Sequence, residues 1–254
     1  MLDFIGTIAL TTVIILNINA FTNGIAVTPA ARLAIVIVAG AWVGLAVAVA
    51  SAGIFANAGL PFPWIGVFVA VPLLLAGAAA LLFPAVRSAI LRVSLSTLVG
   101  LNIARVLGGF FILLAWSGRL GGPFPQSAGW GDVITGLLAV PVMGLASQRA
   151  TLRDRATWVW NAFGMLDLLA AIALGVTSTN GSPLQLVHAG AGSAAVQVLP
   201  WALIPSVLVP FYLIAHGIMF AQLRARSAAP CRGSNGSWSL GIESKVTGVA
   251  FRAR

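Results

Sequence analysis

Seven runs of about 20 apolar residues divide this chain, and no other feature limits its fold so strongly. A bilayer crossing needs about 20 mostly apolar residues, and windows near 2–21, 32–51, 64–83, 94–116, 130–147, 157–176 and 200–222 meet that length. The fifth, opening at Trp130, is the shortest. Turn-forming segments such as NAGLPFPW and TSTNGSP separate the runs. The pattern predicts an all-α polytopic bundle of about seven spans over residues 1–222, followed by a flexible basic tail over 223–254.

Composition supports this reading. Only 7 % of the 254 residues are charged and 59 % are hydrophobic, where soluble domains carry roughly 25 % charged residues. The formal charge of +9 does not indicate nucleic acid, because the cations fall between apolar runs instead of clustering on one face beside stacking or groove-reading groups. Cys231 is the only cysteine, which excludes an internal disulfide and a thiolate-rich metal site. The opening MLDFIGTIALTTVIILNINAF has an acid where a signal peptide has a basic n-region, so it reads as a retained first span.

Orientation follows from the loops, since Lys and Arg near span ends stay in the cytoplasm. With seven spans, one side receives Arg32, Arg87, Arg92, Arg149, Arg153, Arg155, Arg224, Arg226, Arg232, Lys245, Arg252 and Arg254, and the other only Arg119. The imbalance predicts an outside N-terminus and a cytoplasmic C-terminus in a cytoplasmic membrane.

Two charges interrupt the spans. Counting 1.5 Å per residue, Arg105 lies about 16 Å below Trp116 in the fourth span, and Asp167 lies about 15 Å from the start of the sixth. Each costs about 2.5 to 3.5 kcal/mol at a helix centre, so both should face the bundle interior. Matching depth predicts that they pair. Ser94, Asn102, Arg105 and Gly109 share one stripe of the fourth span, and Trp160, Gly164, Asp167 and Ala171 share one of the sixth. Asn161 is placed to add an interhelical hydrogen bond. Asp132, about 3 Å inside a boundary at Trp130, is predicted to pair with Arg119 at the rim and not with Arg105. Asp132, Thr135, Gly136 and Ala139 form a small and polar stripe aimed at the same interior.

Other constellations carry less. The seventh span has no lysine for a retinal Schiff base. Ser117 at an outer end and His216 deep in the last span are too far apart for serine-protease chemistry, and two distant histidines make neither a haem nor a zinc site. His216 is expected to be a packed or inward-facing polar residue. Gly40, Gly44 and Ala48 form a small-residue seam suited to helix packing, including a homo-oligomer contact. The sequons at Asn180 and Asn235 are discounted.

Arg105, Gly118-Arg119-Leu120, Phe124, Ala128-Gly129-Trp130-Gly131-Asp132, Trp160-Asn161, Gly164 and Asp167 together resemble a family of uncharacterised bacterial multi-spanning membrane proteins over about residues 100–220. Here GRLGGPFPQSAGWGD carries an extra glycine pair between the Leu and the Pro. The resemblance implies that these polar positions belong together and implies no activity. The leading expectation is a small-solute or proton-linked carrier, its solute polar or anionic, with no cofactor or metal. Arg105 would be its anion or counter-ion site, Asp167 the partner or proton acceptor and Asp132 the outer mouth, with Asn102, Asn161 and Arg119 as further binding candidates. The competing expectation is a non-transporting scaffold or sensor subunit whose polar pairs specify packing. A membrane enzyme ranks third, because the usual metal and phosphate clusters are missing.

Overall fold

The computed structural model describes residues 1–25, 27–57, 63–147 and 151–228. The tail beyond Ala228, with Cys231, its four cations and the Asn235 sequon, lies outside the described residues, as do Arg149 and 58–62 of the NAGLPFPW turn. The elements in order are α1 (Leu2–Gly24), α2 (Pro29–Ser51), α3 (Trp64–Leu82), α4 (Pro84–Ile90), α5 (Leu95–Leu101), a 3₁₀ helix (Asn102–Gly108), α6 (Gly109–Trp116), α7 (Phe124–Ala146) and α8 (Thr151–Thr177). A 3₁₀ turn (Ala194–Gln197), a π-helical turn (Ile204–Leu208) and α9 (Val209–Ala228) follow. Among the described residues, seven units are long and apolar enough to cross a membrane, with α5 through α6 counting as one and the π turn with α9 as another. The molecule is a multi-pass membrane protein built of helices.

Local chemistry sets several of the boundaries. Thr28 Oγ1 accepts from the Ala31 amide at 3.3 Å while Pro29 occupies the first turn of α2, and Ser94 Oγ accepts from the Thr97 amide at 2.9 Å to start α5. The fifth span begins at Phe124, six residues ahead of the expected Trp130, and is 23 residues long. Pro125 sits in its first turn, where a missing N–H leaves no bond unmade, and Phe124, Pro125, Ala128 and Gly129 are buried against the bundle. Polar Gln126 and Ser127 hide this first turn from a hydropathy reading.

The last span begins at Ile204, not at Pro200. Pro210 has no N–H to offer the carbonyl four residues back, which is that of Ser206. The indole N–H of Trp42 supplies the missing bond at 3.0 Å, docking α2 onto the π turn.

Side-chain bonds define two ends. At one, Asp3 of α1 meets Arg119 and Trp201. At the other, Asp154 of α8 meets Arg226 of α9, and Gln222 Nε2 donates to the carbonyls of Leu91 and Val93. The second and third span windows are 11 % buried against 50 % for α5 through α6 and 61 % for the last, so the centre of the bundle is built from α5, the 3₁₀ helix, α6, α7 and α9. Gly40 and Gly44 of α2 are exposed, with open space where a side chain would begin.

Two apolar clusters divide the interior. One, toward the Asp3 end, gathers Leu10, Phe111, Phe124, Leu168, Trp201 and Tyr212 among others. The other, toward the Arg226 end, gathers Val93, Leu98, Val142, Trp160, Ala215 and Met219 among others. Between them lies a polar layer.

Candidate functional site

The polar layer starts from the break in the fourth span. A 3₁₀ helix has three residues per turn, so residues three apart eclipse. Asn102, Arg105 and Gly108 therefore share the buried face, and Gly108, more than the half-buried Gly109 expected on this stripe, packs tightly on α7. A Cβ at Gly108 would overlap Asp132, and one at Gly136 would overlap the backbone of Ile103 and Val106. Glycine is required on both sides, at Gly108 because the Asp132 side chain fills the space and at Gly136 because the 3₁₀ backbone does.

Arg105 is 2 % exposed and is the hub. Its Nε donates to Asp132 Oδ1 at 2.6 Å and its Nη2 to Asp167 Oδ2 at 2.5 Å. Nη1 donates to the Gly164 carbonyl at 2.9 Å and to His216 Nε2 at 3.1 Å. Four of the five guanidinium N–H groups thus have partners. An arginine only donates, so His216 Nε2 accepts, and the ring carries its proton on Nδ1. That N–H donates to Asn161 Oδ1 at 2.7 Å, while Asn161 Nδ2 donates to the His216 carbonyl at 3.2 Å. The His216 ring lies 5.8 Å from that of Trp160, whose indole N–H donates to the Thr135 carbonyl at 3.1 Å.

Four elements are thereby tied at one depth: the 3₁₀ helix through Arg105, α7 through Asp132, α8 through Asn161, Gly164 and Asp167, and α9 through His216. Small residues allow the approach. A Cβ at Gly131 would fall on the Asp167 carboxylate, and one at Gly164 would overlap His216, Thr135 and Arg105. The stripe Asp132, Thr135, Gly136 and Ala139 on α7 is buried throughout.

The pair expected between Arg105 and Asp167 is present, but two expectations about Asp132 and Arg119 are overturned. Asp132 bonds Arg105 directly, because α7 starts at Phe124 and carries it eight residues, about 12 Å, inward. Arg119 instead pairs with Asp3 at 2.7 Å, and Asp3 Oδ1 also accepts from the Trp201 indole at 2.7 Å. Asn102 is fully buried, yet among the described residues its amide nitrogen bonds only the Leu98 carbonyl and its Oδ1 has no partner, so no bond there ties it to the cluster. The extra glycine pair forms part of the loop packing at the Asp3 end. The Gly121 amide donates to the Gly192 carbonyl at 2.8 Å, and a Cβ at Gly121 would overlap the Ala189 carbonyl.

Sequence reasoning missed His216 as a member. Counted from Ile204 it lies 12 residues, about 18 Å, into the last span, at the depth of Arg105. That match is readable once the span start is known. Tyr212, one turn earlier, accepts from Asn17 Nδ2 of α1 at 2.9 Å, a contact without a charge to betray it.

A cavity leads to this cluster. It holds about 90 Å³ and lies between the start of α3, the last turns of α8 and the π turn, reaching the surface near exposed Trp64 and Pro183 at the Asp3 end. Its walls are largely apolar, and among the described residues Asp132 is the one charged residue that lines it. A narrower void of about 20 Å³ shares Asp132, Leu168, Ile204 and Val209 with it and reaches Arg105 and Tyr212. That is room for about one water.

A family model for a domain of unknown function, DUF8737, matches residues 62–224. The chain belongs to the DUF8737 family. The matched DUF8737 region runs from α3 through most of α9, so it begins some 40 residues before the expected resemblance and contains every member of the Arg105 cluster. Helices α1 and α2, with Asp3, Asn17 and Trp42, lie outside the match. Comparison with curated proteins and with solved structures finds no match.

Proposed function

We propose that this DUF8737 protein is a small-solute carrier, proton-linked at the cluster of Arg105, Asp132 and Asp167. The observation that carries the reading is the cavity that reaches Asp132 from the Asp3 end, since Asp132 both lines it and holds Arg105. The cluster sets two carboxylates against one guanidinium, so it is neutral only when one carboxylate is protonated or a cation is bound. Ionisable groups so placed in a membrane are expensive and mark proton and solute paths. Cation asymmetry supports the orientation: Arg32, Arg87, Arg92, Arg153, Arg155, Arg224 and Arg226 belong to the Arg226 end and Arg119 to the other, making the Arg226 end cytoplasmic. The near-complete hydrogen bonding of Arg105 favours a second reading, a scaffold or sensor subunit in which the cluster only specifies packing.

The two readings differ in whether the interior is wet. With Cys231→Ser removing the native thiol, Val209→Cys places a thiol where both voids meet. In sealed vesicles of known orientation, a charged methanethiosulfonate reagent should label Val209→Cys from one side only. A thiol unreactive from both sides would exclude the carrier.

A further inference from the structure

We infer that the solute this cavity admits is an organic cation with an apolar body and an ammonium-type head, an inference that rests on the carrier reading. The walls come from aromatic and aliphatic side chains, among them Phe55, Trp64, Phe111, Phe124, Leu168 and Ile172. Such walls suit a hydrocarbon body, and aromatic faces attract a cation. Among the described residues, the one charged side chain that lines the cavity is the carboxylate of Asp132.

Arg105 does not make this an anion site. It lines only the narrower void, behind the main cavity, and four of its five N–H groups are committed to Asp132, Asp167, Gly164 and His216. An entering anion would confront Asp132 before it found a free donor. An entering cation instead meets Asp132, one of two carboxylates that share a single guanidinium. It would displace the proton that otherwise occupies that place, so one group binds the solute and couples it to proton movement. At about 10–15 Å³ of such space per water, the cavity corresponds to roughly six to nine waters, the size of a solute of about ten heavy atoms.

Phenyltrimethylammonium and benzenesulfonate have such dimensions and opposite charge, and both dissolve in water. The readout is the labelling rate of Val209→Cys in the Cys231→Ser background, with each compound added in turn. Phenyltrimethylammonium should slow labelling at least tenfold at saturation, benzenesulfonate should slow it less than twofold, and adding Asp132→Asn should abolish the protection. Equal or better protection by benzenesulfonate would overturn the cation assignment. Labelling that neither compound slows would overturn it too, while leaving the carrier reading standing. A thiol unreactive under all conditions would overturn both. If the Asp132→Asn protein does not fold, the comparison of the two charges decides, because it uses an intact cluster.

Discussion

Replacing Arg105 with methionine removes the guanidinium hub while keeping an unbranched apolar stem. Asp132 and Asp167, whose side chains are 11 % and 7 % exposed, would lose their counter-charge, and the Gly164 carbonyl and His216 Nε2 would lose their donor. Breaking a buried ion pair by deleting one partner costs about 3–5 kcal/mol, because a desolvated charge is left behind. For a chain of this size each kcal/mol shifts the midpoint by roughly 2–4 °C, so Arg105→Met should lower the melting temperature by about 6–20 °C. Thermal unfolding in detergent, followed by tryptophan fluorescence, reads this shift. Raising salt should not restore the loss, since buried pairs are weakly screened. Adding Asp132→Asn and Asp167→Asn to Arg105→Met removes the stranded charges and should recover more than half of it, a coupling that independent sites would not show. If Arg105→Met melts with the parent, or if the triple variant melts no higher than the single, the charges do not depend on one another and the cluster described here is wrong.

Two further substitutions separate the interior from the rim. Gly131→Ala places a methyl group on the Asp167 carboxylate, so it should force α7 and α8 apart and lower the melting temperature by several degrees, by an amount that shrinks when Asp167→Ala is also present. Arg119→Ala breaks a pair whose side chains are 34 % and 54 % exposed; its effect should stay below about 1 kcal/mol and vanish at high salt, and a large loss would mean that Asp3, Arg119 and Trp201 form a lock instead of a rim contact.

The contrast between Asp167 and Asp132 explains how much of the site could be read in advance. For Asp167, depth along a span and the small residues beside it were sufficient, because both follow from residue counting within one helix. Depth counted from Trp130 puts Asp132 at the rim, because the first turn of α7 is polar enough to pass for loop. A span start at Pro200 puts His216 about 24 Å deep, which hides its match with Arg105. A 3.6-residue period puts Gly109 on the Arg105 face, where the actual winding of three residues per turn puts Gly108. Each miss comes from a helix start or a winding that packing decides.

Seven spans, helical class and the inward turn of Arg105 and Asp167 are written in the sequence itself. A bilayer turns burial into length along a single axis and makes an unpaired charge expensive wherever the chain crosses. Which groups complete the cluster was decided only by the tertiary structure. The 3₁₀ winding of Asn102–Gly108, the early start of α7, the π turn ahead of α9 and the glycines that let backbones meet together set rotation and separation across four elements. Rotation and separation are properties of helices packed against one another, and no count along one helix contains them.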